Sequence, residues 1–494
     1  MQKALVRRLQ AWFITGSKTR QVIATLLLCL AIGLTGGALV ACLRLMYVAA
    51  LLLAVAGGLL MLRSTQFTFF ALAATICLLP FAAIPGPDIG FTPTVLDLVL
   101  VVLLFTWLFQ VARKKQKDLR ASALGLPIVI FAVLVCASFV IGLSYAPATT
   151  KLVRHFAELL LNIVLFFLVI NNVRSSRAVE QIVSVLILAG LFTSLLGIVL
   201  YFLPQELTIR LLSALRVFRY PSGSSVLRFI EDNPENPLRA TSTSIDPNVL
   251  GGLLVVLIGM TVPQFLTQDP LPLFGRVWRW RGFNWLAVPA LGVMLACLLL
   301  TFSRSALAGL GVAVALLALL RYRKLLPIIL LAGLVILLLP QTQAYVQHFI
   351  EGVRGEDLAT QMRFGEYKDA FILISRHPWF GVGFAGAPDI DTYIGVSSVY
   401  LLMAEETGLV GLGTFLWIVV LGMTRMLRGA RRLALQGNPR LEAILWGLLI
   451  ALAGALFSGT LDHYFFNINF QHAVALFWLC LGLGISITLL PGTT

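Results

Sequence analysis

Long apolar runs broken by short charged stretches set the pattern of this chain. Crossing about 30 Å of hydrocarbon takes roughly 20 apolar residues in a helix. Runs of that order fall at 22–42, 45–62, 67–85, 94–112, 123–143, 155–172, 179–203, 247–267, 284–303, 305–320, 325–341, 399–423, 441–461 and 470–490. They predict an all-α integral membrane protein in which residues 1–494 form a single polytopic membrane domain of about 14 transmembrane helices. Two connections, 204–246 and 342–398, are too long to be simple turns, and loops of that size usually carry function. In the first, Glu206 to Phe218 reads as an amphipathic interfacial helix. The second reads as an amphipathic helix from Thr360 to Ser375, with Met362, Phe364, Tyr367, Ala370, Phe371 and Ile374 as its apolar positions, followed by a Gly/Pro loop.

Composition narrows the class. At 59% hydrophobic and 12% charged residues the chain is too apolar for a soluble globular protein. A net charge of +15 raises nucleic acid as a partner, but the charges sort by loop, and Lys and Arg in short loops stay cytoplasmic. With the basic N-terminus (Lys3, Arg7, Arg8, Lys18, Arg20) inside, the inside loops carry Arg63, RKKQKDLR at 113–120, Arg174, Arg177, RVWRWR at 276–281, RYRK at 321–324 and the Arg-rich 425–440 segment. Of the acidic residues only Asp118, Glu180, Asp269 and Glu442 share that side. The expected protein therefore has both termini cytoplasmic, both long loops extracytoplasmic, and no nucleic acid partner. Leu39-Val40-Ala41-Cys42 loosely matches a lipoprotein cleavage box, but the long segment before it favours a retained span. The six cysteines lie in apolar runs without C-x-x-C spacing, which predicts neither a disulfide frame nor a zinc site.

Charge at membrane depth is costly, so arginines at outward helix ends call for an account. Arg304 sits in Thr301-Phe302-Ser303-Arg304-Ser305, a hinge barely long enough to turn the chain. It is either a snorkelling interfacial residue or a guanidinium fixed to grip an anion bidentately. Arg239 opens a polar stretch that ends in Asp246-Pro247-Asn248. Asp246 reads as a helix cap, and Arg239 either balances Glu231, Asp232 and Glu235 or serves a site.

These blocks resemble the O-antigen ligase and polymerase family of bacterial surface-polysaccharide assembly. The resemblance runs over roughly 239–420: Arg239 to Asn248, then Ser303-Arg304-Ser305, then His377-Pro-Trp-Phe-Gly-Val-Gly-Phe384 and Tyr400-Leu-Leu-Met-Ala-Glu405-Glu-Thr-Gly408-Leu-Val-Gly411. It implies a GT-C-like polytopic transferase in the bacterial inner membrane with an extracytoplasmic active site. A glycan would move from a polyprenyl diphosphate, undecaprenyl diphosphate in bacteria, to an acceptor hydroxyl on a glycan, lipid or protein. No cofactor or metal is implied, and polysaccharide-assembly proteins are natural partners. Arg304 and Arg239 become the diphosphate-binding candidates. The family's His-Asn pair before the Tyr-Leu stands here as Ser397-Ser398, and neither serine is a good base unaided.

Substitutes for that base are His463 beside Asp462, His377, and Glu405, which could equally pair with an arginine. Tyr464 and His472 read as interfacial residues. Asp389-Ile-Asp391 has the D-x-D form of a metal clasp, a spacing common by chance. Ligation and polymerisation use the same groups, and the missing family histidine tilts the reading toward polymerase. The rival class is a fourteen-helix flippase or transporter, which should place charged groups near the bilayer midplane and show repeat symmetry.

Overall fold

Helix starts follow the polar residues that precede the apolar runs. A computed structural model of the 494-residue chain describes residues 55–85, 92–113, 118–267, 287–338, 358–385 and 395–490, with scattered positions between and before these. The predicted span 22–42, most of 45–62, and Asp389 and Asp391 lie outside the described residues. By contacts the chain divides after Ser64 into two units, where the sequence predicts one continuous domain. Of the first unit, residues 55–63 are helical; all that follows concerns the second.

Its first five helices are α1 (Thr65–Leu78), α2 (Val95–Ala112), α3 (Gly125–Gly142), α4 (Thr150–Asn172) and α5 (Ser176–Phe202). After α6 (Gln205–Ala214) come a short antiparallel pair, β1 (Arg228–Phe229) with β2 (Leu238–Arg239), and α7 (Pro247–Leu266). A second small pair, β3 (Arg279–Trp280) with β4 (Phe283–Asn284), leads to α8 (Ala287–Leu300), α9 (Arg304–Leu320) and α10 (Leu326–Leu338). The chain closes with α11 (Leu358–Arg376), α12 (Val399–Leu435), α13 (Pro439–Ser458) and α14 (Gln471–Thr488). Among the described residues eight helices (α2 to α5, α7, α12, α13 and α14) are long and apolar enough to cross a bilayer, and α1, α8 and α9 are shorter apolar helices.

Each apolar run from 67 to 490 thus corresponds to a helix, with two informative differences. Helix α4 begins at Thr150 rather than 155, because Thr149 caps it by accepting the Leu152 N–H at 3.1 Å. Helix α12 spans Val399–Leu435 with a kink at Gly408 and continues past the apolar run to Leu435, since its Arg-rich tail is made of good helix formers. The amphipathic segments also form: α6 ends at Ala214 and passes into a 3₁₀ turn at Leu215–Phe218, and α11 covers 358–376.

Small residues let the central helices touch backbone to backbone. A Cβ on Gly259 of α7 would stand 2.9 Å from the Ala451 Cα of α13, and one on Gly447 of α13 would stand 2.9 Å from the Met260 carbonyl of α7. Around this core, α3, α10 and α12 turn Leu126, Val129, Val133, Val140, Leu330, Leu334, Trp417 and Val420 outward, as lipid-facing helices do.

Polar chemistry gathers at the two ends of the bundle. At one end Arg321 pairs with Glu442 at 2.5 Å, and Arg440 reaches Asp269 at 2.7 Å and Glu180 at 3.3 Å. The other end is where α7, α9, α12 and α14 start and α8 and α13 stop, and it holds the candidate site.

Candidate active site

Arg239 ties two loops together. Its Nε donates to the Thr301 carbonyl at 2.8 Å and one Nη donates to Asn248 Oδ1 at 2.7 Å, while the next residue, Ala240, donates its N–H to the Leu300 carbonyl at 2.8 Å. The β2 strand is thereby fastened to the α8–α9 hinge and to the first turn of α7. Asp246 caps α7, its Oδ1 accepting the N–H groups of Asn248 at 2.7 Å and Val249 at 3.1 Å. Three non-glycine residues in these two loops hold positive φ: Ser242 at 50°, Ile245 at 63° and Phe302 at 50°. For a β-branched residue such as Ile245 that is a true outlier, and strain of this kind collects at functional sites.

Across the hinge, the Ser303 and Ser305 hydroxyls lie 3.2 Å apart, Ser305 reaches Asp462 Oδ2 at 3.5 Å, and Ser458 donates to the Ser305 carbonyl at 3.1 Å. Asp462 is 7% exposed. Its carboxylate caps the chain by accepting the His463 backbone N–H at 3.0 Å, so it does not orient the His463 imidazole through this contact. Burial holds the Asp462 carboxyl above its ordinary range, with His463 and Arg363 pulling it back down and Asp246 adding to the rise. Arg239 feels the same field: burial lowers it, Asp246, Asp232 and Asp462 oppose that, and Arg304 reinforces it. Arg239, Arg304, Arg363 and Asp462 therefore occupy one electrostatic neighbourhood, although they come from β2, α9, α11 and the loop after α13.

That loop, 459–470, is firmly held at its start. Val399 donates to the Gly459 carbonyl at 2.8 Å and to the Asp462 carbonyl at 3.1 Å, and the Tyr367 hydroxyl reaches the Thr460 carbonyl at 3.4 Å. Tyr464 lies against Gly252 of α7, its hydroxyl enclosed near Ser458 and Asp462. His463 is half-buried, and its Nδ1 has no hydrogen-bond partner among the described residues.

Residues 289–416 match the family model described as O-antigen ligase. Over that segment the chain is similar to the O-antigen ligase family. A search of curated proteins returns no match. The ligase-family segment runs from α8 into α12 and holds Arg304 and Arg363; Arg239, Asp462 and His463 lie outside it but meet it in space.

Within the ligase-family segment, His377 and Glu405 lie at a joint in α12. The His377 ring packs edge-on to Tyr145 at 5.7 Å, at the end of α11. Residues 377–384 fill a break in α12: Val382 donates to the Glu405 carbonyl at 2.8 Å, Gly383 to the Glu406 carbonyl at 3.0 Å, and Leu409 to the Pro378 carbonyl at 2.7 Å. The break is at Gly408, whose φ of 70° and ψ of 178° leave the helix and whose missing Cβ admits the Trp379 backbone. The two family-like blocks are thus halves of one joint. Glu405, 1% exposed, lies in this joint against the backbone of Gly395 and Val396. Ser397, at the family's histidine position, has its backbone clamped by α11: its N–H donates to Glu366 at 2.9 Å and its carbonyl accepts from Tyr367 at 3.3 Å. His472 is buried in α14 against Phe81, and Tyr464 is buried too, so neither sits at an interface as the sequence predicts.

Arg363 and Tyr367 also reach the candidate site, although the sequence reading did not single out Arg363 and took Tyr367 only as an apolar position of its helix. The available signal was the helical pattern of α11, which sets Arg363 one turn from Tyr367 on the side that packs inward.

Proposed function

We propose that the protein is a lipid-linked oligosaccharide glycosyltransferase, acting at the extracytoplasmic end of the bundle on a glycan carried by a polyprenyl diphosphate. The observation behind this is a buried carboxylate, Asp462, in the field of Arg239 and Arg363 and in reach of Ser305 beside Arg304, at the end opposite the Arg440 and Arg321 ion pairs. An Arg-rich end reads as cytoplasmic, which leaves the site facing out.

In this reading Arg239, Arg304 and Arg363 hold the diphosphate. Arg239 has five N–H donors and spends two on Thr301 and Asn248, which fixes the fork and leaves donors for phosphate oxygens. The acceptor hydroxyl attacks the anomeric carbon, the bond from that carbon to the diphosphate oxygen breaks, and polyprenyl diphosphate departs with charge growing on it that the arginines stabilise. Direct displacement inverts the anomeric carbon. Asp462 takes the hydroxyl proton, its raised affinity for a proton suiting a base at neutral pH, and His463 flanks it. His377 and Glu405, placed in the α12 joint, brace the loop. Polymerisation of repeat units is the favoured outcome, ligation onto a lipid or protein the other.

A transporter is disfavoured because ionisable side chains of the described spans lie toward helix ends and the α7–α13 contact is locked by glycines. The test is a set of inserted variants, Arg304→Ala, Arg239→Ala and Asp462→Asn, assayed for donor consumption and product. Each should lose at least about 100-fold in turnover. Intact transfer in Arg304→Ala would remove the diphosphate clamp, and donor piling up on the inner leaflet of a null strain would make the protein a flippase.

A further inference from the structure

The far end of the 459–470 loop is fastened by side chains that no catalytic role has absorbed. Gln471, the first residue of α14, donates through Nε2 to the carbonyls of Ile468 at 2.8 Å and His155 at 2.9 Å, and its Oε1 accepts from Asn162 Nδ2 at 2.6 Å. The His155 Nδ1 lies 2.6 Å from the same Ile468 carbonyl, and its Nε2 lies 3.0 Å from an Arg154 Nη. A guanidinium only donates, so Nε2 accepts, the imidazole is neutral, and Nδ1 carries the proton to Ile468. The Ile468 carbonyl thus receives two hydrogen bonds from groups 92% or more buried, since His155 is 8% and Gln471 6% exposed, and Asn162 is fully buried.

From Ile468 the order propagates backward. Phe470 donates to the Asn467 carbonyl at 3.0 Å, and Asn467 and Phe466 donate to the His463 carbonyl at 3.1 and 3.3 Å. A hydrogen-bonded path therefore links α4 and α14 to the residues beside the candidate base. None of the three arginines lies on α4, α14 or this loop.

We infer that His155, Asn162 and Gln471 are positioning residues that set Asp462 and His463 against the diphosphate site, so that the latch governs proton removal from the acceptor and not donor binding. This rests on the glycosyl-transfer reading above. Loosening the latch should lower kcat and leave the donor KM in place, the opposite of a general loosening of the bundle.

His155→Asn keeps an N–H near the place of Nδ1, whereas His155→Phe keeps the ring and removes the donor. The Phe variant is expected to lose about 30-fold in kcat with donor KM within about twofold, the Asn variant to stay within about threefold of the parent, and amide exchange at 463–470 to quicken in the Phe variant alone. Unchanged kcat in His155→Phe, a parallel rise in KM, or equal losses in both variants would overturn the latch. Should His155→Phe fail to insert, Gln471→Glu, which turns two donors into acceptors facing two carbonyls, supplies the same comparison. Arg304→Ala in the same assay separates the two ideas: if it transfers normally the parent reading fails, while the exchange data still judge the latch.

Discussion

Gly251, in the second turn of α7, faces the first turn of α9. A Cβ added there would lie 2.8 Å from the Ala306 Cβ and 3.1 Å from the Ser303 Cβ. Carbon atoms settle at about 3.5–4.0 Å, so α7 and α9 must part by about 0.7–1.2 Å. Neither neighbour can turn aside, because each Cβ is fixed by its own backbone. Overpacking of this kind costs about 1–3 kcal/mol, and it moves Ser303, Arg304 and Ser305 relative to the Asn248 that holds Arg239. A misplacement of about 1 Å at a reacting centre is worth on the order of 100-fold in rate. Gly251→Ala should therefore insert, unfold at lower temperature and transfer glycan 10- to 100-fold more slowly, by about that estimate. Adding Ala306→Gly removes the closest contact and should recover most of the loss. Gly311→Ala on the same helix, with nothing within 4 Å of the new Cβ, should be silent or gain up to about 1 kcal/mol. Normal turnover in Gly251→Ala, or no recovery in the double variant, would refute the link between hinge spacing and the site.

The remaining predictions concern charge. Burial raises the Asp462 carboxyl, so the folded state is favoured below the unfolded value and loses that advantage as pH rises through the raised one; Asp462→Asn should unfold at higher temperature at neutral pH, lose this gain in acid, and abolish the acid limb of the turnover profile. Arg239→Lys keeps the charge but not the fork that reaches both Thr301 and Asn248, and should cost about 10-fold or more in turnover, measured with donor at saturation. Arg440→Ala, at the opposite end, should leave kcat unchanged and cost about 1 kcal/mol or less in thermal unfolding, because its pairs with Asp269 and Glu180 are partly exposed.

Helices were legible because lipid demands unbroken apolar runs and polar caps mark their starts. Arg304 could be singled out for a similar reason, a cation being an expensive choice for a hinge. The proposed base was harder to see, since Asp462 lies 158 residues after Arg304 in the chain and reaches the hinge, at Ser305, through the packing of α9 against α13, which periodicity does not encode. His377 and Glu405 carried the look of catalytic residues because they stand in the family-like blocks, which are rich in glycines. Those glycines are explained by the α12 break, where one stretch of backbone must lie against another. Arg363 was overlooked for the converse reason: on an amphipathic helix a lone cation reads as part of the wet face.

The glycine contacts between α7 and α13 bear on how substrates arrive. Backbones that already touch have no slack to open a passage between these helices, so a long glycan cannot thread between α7 and α13. In the proposed transferase both substrates would then approach from the side or from above, and the product would leave the same way. Engineering for larger acceptors should therefore alter the 204–246 and 342–398 segments and leave the helices that frame them untouched.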